Sequence, residues 1–123
     1  EDGQRREVQR GVRAVEAAGV TPTVFRPPYG SHDATTREVV GAPMILWDVD
    51  TLDWRTRSAD VTVASAVGDA RAGSIVLMHD IHAPTVDAVP RVVAGLRERG
   101  FTLVTVSQLL GPLEPGSVSS RRP

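Results

Sequence analysis

Helix-periodic stretches and short apolar runs alternate along the chain in the order helix, strand, helix, strand, helix, strand, helix, strand. Regular alternation with short connections means parallel strands returning through crossover helices, either a β/α barrel or an open doubly wound sheet. No glycine-rich phosphate loop follows any of the strand-like runs, so a nucleotide-binding fold has little support. At 123 residues the chain can bury one core, but it is short for a complete barrel.

The individual elements follow from spacing and punctuation. Val8, Val12, Val15 and Ala18 share one face and predict a helix over 7–18 ending at Gly19. Residues 23–26 form a short β-branched and aromatic run that Pro27 and Pro28 stop, because neither proline can donate a ladder hydrogen bond. Asp33 is placed to cap a helix to about Val40, and a buried strand follows over 44–47. Ser58 is placed to cap a helix over 59–70, ahead of the apolar strand Ser74-Ile75-Val76-Leu77-Met78. Val89, Val92, Val93 and Leu96 predict a helix over 86–99, with Pro90 near its first turn, where proline is tolerated. Residues 101–106 then read as a strand, and Ser107 as the cap of a brief turn over 108–110. This places one domain at 1–110 and a Pro-, Gly- and Ser-rich tail at 111–123.

Composition excludes several classes of function. A formal net charge of -1 gives no footprint for nucleic acid or anionic lipid. The absence of cysteine removes disulfides, thiolate metal sites and a cysteine nucleophile. No apolar run is long enough to span a membrane, and no signal peptide is visible. The chain opens at Glu1, without Met and inside a helical stretch, and reads as a piece of something longer.

Chemistry in β/α folds gathers at the carboxyl ends of strands. Arg26, Asp50 with Asp53, and His79 all fall at such ends and are expected to converge. A carboxylate bonded to one nitrogen of His79 would fix its tautomer and make it a usable general acid near neutral pH. Rigid backbone around Tyr29 and Gly30 would hold amides in the fixed directions that a developing oxyanion needs. Asp80 is expected to fix its own loop by hydrogen bonding, and Asp48 carries no assigned chemistry.

Arg26-Pro27-Pro28-Tyr29, Asp50-Thr51-Leu52-Asp53-Trp54 and Leu77-Met78-His79-Asp80 resemble, in order, the third, fourth and fifth motifs of the polysaccharide deacetylases. These are the NodB-homology group, carbohydrate esterase family 4. The resemblance runs from the first helix through Leu110 and implies a distorted, partial (β/α) barrel whose N-terminal strands are missing. It implies a metal-dependent hydrolase that removes acetyl groups from an N-acetylglucosamine polymer, such as peptidoglycan or chitin, or from acetylxylan. His79 would be the general acid, Asp53 would tune it, and Arg26 would orient a catalytic aspartate. The Tyr29 N–H would contact the oxyanion, while Trp54 and Leu77 would wall the pocket for the acetyl methyl. A polymeric substrate implies an extracellular or cell-wall location.

The first and second family motifs, Thr-Phe-Asp-Asp-Gly and His-Ser/Thr-x-x-His, do not occur in this sequence. They supply the base and the ligands of the divalent metal, usually zinc, so the resemblance implies that this chain carries the general-acid half of a site. It would be inactive alone, and its partner would be the N-terminal portion of the same domain. Of the histidines, His79 and His82 are three apart in a loop and His32 follows Tyr29, a spacing that does not secure the three ligands a catalytic zinc needs. The alternatives are an inactive truncated or degenerate glycan-binding module, and an unrelated α/β domain in which Arg26, Asp53 and His79 stay apart.

Overall fold

The computed structural model describes residues 2–123, which divide into two compact units: one runs up to Leu46 and includes Pro112–Ser119, the other comprises Trp47–Gly111 and Ser120–Pro123.

The first unit opens with α1 (Asp2–Ala17), which begins a turn earlier than the valine spacing indicates and packs along α2 (Ala34–Val40). Asp33 caps α2 by accepting the Thr36 N–H at 2.8 Å, and Gly41 closes it at φ 69. The sheet of this unit is built on β1 (Met44–Ile45), whose residues are almost fully buried. On one side Phe25 forms a parallel bridge to Met44, donating to the Pro43 carbonyl and accepting from the Ile45 N–H at 2.9 and 2.8 Å. On the other side β4 (Val118–Ser119) pairs in parallel, Met44 opposite Val118 and Ile45 opposite Ser119.

The strand β4 corrects the reading of 111–123 as a tail. Its composition is polar and turn-rich, and what orders Val118 and Ser119 is a ladder with residues more than seventy positions away, which no local pattern encodes. The expected strand over 23–26 contracts to the single paired residue Phe25, with Val24 and Arg26 exposed.

In the second unit β2 (Val49–Asp50) and β3 (Val76–Leu77) run parallel, Val49 opposite Val76 and Asp50 opposite Leu77. The Asp48 carboxylate secures this register by accepting the Ile75 N–H at 2.8 Å and the Ser74 hydroxyl at 3.1 Å. Asp48 is thus a structural acid. The core lies between α4 (Ala59–Asp69), capped by Ser58 as expected, and α5 (Ala83–Glu98). Ala66, Ala70, Ala88, Val92 and Leu96 are buried there, with Val67, Val76, Met78 and Phe101 packed against them.

Because α5 starts at Ala83 and not near Val86, Pro90 lies well inside the helix. It removes the bond to the Val86 carbonyl. Val86 is exposed, and Ala88, Val92 and Leu96 on α5 carry the burial that holds the helix together.

The predicted strand over 101–106 does not form. Residues 101–105 have no ladder partner among the described residues, and Val106 already belongs to α6 (Val106–Leu110). Thr105, not Ser107, caps α6 through a capping box with Gln108. A β-rich composition needs a paired edge before it becomes a strand. The ladders of the described residues do not close into a barrel.

Close packing of α4 on α5 depends on Gly95. A Cβ built there meets the Val67 methyls at 2.7 and 3.2 Å, and the β-branched side chain of Val67 has little rotamer freedom with which to yield. Gly95→Ala should gain about 1 kcal/mol in helix propensity and lose about 1–3 kcal/mol to overpacking, for a net fall in thermal stability. The double variant Gly95→Ala, Val67→Ala should recover stability relative to Gly95→Ala alone, as measured by thermal denaturation; equal melting temperatures for the two would contradict the packing argument.

Candidate active site

Parallel pairing of β2 with β3 brings two carboxyl ends side by side, and the Thr51 hydroxyl reinforces this by donating to the Leu77 carbonyl at 2.7 Å. Asp53 follows β2 and His79 follows β3, so the register alone delivers both residues to one place. The short helix α3 (Asp53–Thr56), which was not anticipated, turns Asp53 inward until it is 0% exposed. Leu52 and Arg57, on either side of α3, take left-handed conformations at φ 52 and φ 50. Asp50 accepts the Leu52 N–H at 2.9 Å and so serves as a turn residue.

The buried carboxylate receives four donors. Oδ1 accepts the Trp54 N–H at 3.0 Å and His79 Nδ1 at 2.8 Å; Oδ2 accepts the His79 N–H at 2.6 Å and the Thr85 hydroxyl at 2.8 Å. Burial pushes the Asp53 carboxyl up, but the bonds from the His79 ring, the His79 backbone and Thr85, with the attraction of His79, outweigh it and hold the group below the usual carboxylate range. An ionised carboxylate only accepts, so the bridging proton belongs to His79 Nδ1 and leaves Nε2 as the nitrogen that exchanges protons. The His79 side chain is 36% exposed, open enough for a reactant to reach.

Of the residues singled out in the sequence, Asp53 and His79 are brought into direct contact. Trp54 is half exposed beside Asp53, and Leu77 is buried at the end of β3. Arg26 and Tyr29 belong to the first unit. Arg26 is exposed on the strand-like segment after Phe25, and Tyr29 is fully exposed at φ 59 in the tight turn Pro28–Gly30. The hydrogen bonds of that turn run from Gly30 to the Pro27 carbonyl and from Ser31 to the Pro28 carbonyl, so the Tyr29 N–H serves neither. His32 bonds the Gly30 carbonyl from its ring at 3.0 Å. An open apolar groove of about 810 Å³ lies in this unit, lined by Val8, Val12, Val24, Val39 and Arg26 among others.

Asp80 departs from expectation: it is exposed, and its carboxylate makes no hydrogen bond among the described residues. The loop after His79 is held instead by the His82 N–H on the His79 carbonyl and by the first turn of α5. Thr85 escaped the sequence reading. A threonine at the third position of a helix has no signature pointing to a carboxylate thirty-two positions away.

No cluster of three or more His, Asp or Glu side chains able to hold a metal occurs among the described residues. The His79 and His82 rings are 6.2 Å apart, and the Asp53 oxygens are already taken up by four donors. These residues do not fit a catalytic metal site. Among the described residues no helix is long and apolar enough to cross a membrane.

No family model matches the chain. It is 38% identical over 96 residues to the peptidoglycan-N-acetylglucosamine deacetylase PgdA of Listeria monocytogenes, an alignment covering 78% of this chain. The solved structure of the T48 deacetylase with substrate superposes over 97% of this chain with a TM-score of 0.93 and 45% identity. This chain belongs to carbohydrate esterase family 4. A family 4 acetyl xylan esterase from Clostridium thermocellum, solved in complex with a cobalt ion, matches 99% of this chain at a TM-score of 0.90 and 26% identity. The chain spans a portion of these relatives: 21% of PgdA, 61% of the T48 deacetylase chain and 64% of the acetyl xylan esterase chain. Over the matched portion its fold is the α/β fold of that family's domain.

The Asp53 carboxyl has a sign that titration can read. Its folded-state pKa lies below the unfolded value of about 3.9, so its stabilisation is complete above that value and is lost as pH falls through the folded pKa. Asp33 adds acid dependence of the same sign, because the Thr36 bonds lower its carboxyl too. Asp53→Asn should lower stability at neutral pH by about 3 kcal/mol, since an amide cannot accept from all four donors. It should also flatten the acid limb of a melting-temperature profile to the part that Asp33 supplies. An unchanged limb would show that Asp53 is not the group that titrates.

Proposed function

We propose that this chain carries the proton-donating half of a polysaccharide deacetylase site. The substrate is an acetylated cell-wall or plant polymer, either N-acetylglucosamine-based or acetylxylan. One observation carries this reading: the solvent-reachable ring of His79, bonded at 2.8 Å to a fully buried, fully hydrogen-bonded carboxylate.

Cleavage of an acetyl amide or ester expels an amine or alkoxide that must gain a proton. With Nδ1–H committed to Asp53, protonated His79 donates from Nε2, and the buried carboxylate stabilises the imidazolium before transfer and holds the ring through it. The proposal gives the remaining residues supporting roles. The Tyr29 N–H contacts the oxyanion from a turn stiffened by Pro27 and Pro28, Arg26 orients the base, and Trp54 with Leu77 flank the acetyl methyl. The divalent metal, with zinc foremost, and the general base belong to the complete domain, whose N-terminal portion is this chain's proposed partner. Polymeric substrates place the activity outside the cell or at its wall.

The test is a chimera in which this chain replaces the matched 61% of the T48 deacetylase. The chimera should release acetate from N-acetylglucosamine oligomers or acetylxylan, and His79→Ala within it should reduce kcat by about 10²–10⁴-fold, the usual contribution of a general acid. A folded chimera that binds glycan without releasing acetate would favour an inactive glycan-binding module. Activity insensitive to His79→Ala would remove the role assigned to His79.

A further inference from the structure

We propose that Thr85 is a positioning residue for His79, acting through Asp53. This rests on the reading of His79 as proton donor and extends it to a residue outside the matched motifs.

Two of the four bonds on the Asp53 carboxylate come from His79 itself, one from its ring and one from its backbone. They cannot orient His79 unless something else holds the carboxylate. A carboxylate turns easily about its last torsion, which is broad and two-fold. Two donors outside the pair oppose that rotation, one on each oxygen: the Trp54 N–H on Oδ1 and the Thr85 hydroxyl on Oδ2. Without Thr85, Oδ2 keeps only the His79 N–H, and the carboxylate can swing while retaining partial bonding to a histidine that moves with it.

The setting of Thr85 argues against incidental satisfaction of a hydroxyl. Thr85 is 2% exposed in the first turn of α5, where a threonine hydroxyl ordinarily finds a local backbone partner. Instead its own N–H is bonded to the His82 carbonyl at 3.0 Å, and its hydroxyl reaches the carboxylate beyond β2. In the same unit the buried Thr62 hydroxyl has no partner among the described residues, so the core does not enforce pairing of every threonine. The Thr85 bond also anchors α5, the helix that follows the His79–His82 turn, to the carboxylate that fixes His79. A negative charge at the start of a sixteen-residue helix is favourable in its own right.

The test reads the His79 tautomer by proton–nitrogen NMR on the full chain and needs no catalysis. In the unsubstituted protein the Thr85 hydroxyl proton should exchange slowly enough to observe; a fast-exchanging, undetectable hydroxyl overturns the proposal before any substitution is made. Thr85→Val, which keeps the shape and removes the donor, should lose the sharp His79 Nδ1–H resonance and show a mixture of ring tautomers. Thr85→Ser should restore the wild-type spectrum. Thr85→Ala, which introduces no new atom, takes the place of Thr85→Val should the latter not fold. A variant without the hydroxyl whose His79 resonances match the wild type, with only its melting temperature lowered, would assign Thr85 a purely structural role. Failure of the deacetylase reading has a different signature, absence of acetate release from the chimera, with the NMR result unaffected.

Discussion

The buried Asp53 carboxylate is the interaction on which the second unit depends. It is fully excluded from solvent, and an ionised carboxylate so placed is tolerable only when its lone pairs are answered. They are answered by the backbone of α3, the backbone and ring of His79 just beyond β3, and a side chain of α5. Hydrogen bonds to a charged group are worth about 1.5–3 kcal/mol each, so four of them offset a desolvation cost of several kcal/mol. The lowered carboxyl pKa is the same balance seen from the proton's side.

That balance explains why the strained backbone around Asp53 persists. Non-glycine residues with left-handed φ cost of order 1–3 kcal/mol each, and Leu52 and Arg57 bracket the four-residue α3 in that conformation. Each is secured locally. The Leu52 N–H meets Asp50, while Arg57 bonds the Asp53 carbonyl through its backbone and the Trp54 carbonyl through its side chain. The strain turns the chain sharply enough to aim Asp53 at the end of β3. Tyr29 shows similar strain in the first unit, at a loop whose two prolines restrict the alternatives.

Much of this was legible in the sequence, wherever a residue's role is set by its near neighbours. Ser58 and Asp33 cap the helices they precede because capping is decided within three residues. Asp53 and His79 were found because parallel strands place their carboxyl ends on one side, so an acid and a histidine just past consecutive strands must approach each other. What escaped depends on distant partners. Val118 becomes a strand only against Met44, residues 101–105 stay unpaired despite their β-rich composition, and Thr85 matters only because Asp53 lies opposite it. Pro90 misled in another way: proline marks a probable helix start, but buried contacts at Ala88, Val92 and Leu96 carry α5 through it.

The location of the Asp53–His79 pair shows how locally its geometry is set. Asp53, His79 and Thr85 all lie within Trp47–Gly111, and every bond that shapes the pair is made inside that unit. The proposed proton donor is therefore built from one strand pair and one helix start. The orientation of the His79 ring is set by a local, densely bonded cluster. The groups proposed for the oxyanion and the base come from a separate unit, whose strained Tyr29 turn is stiffened by its own prolines.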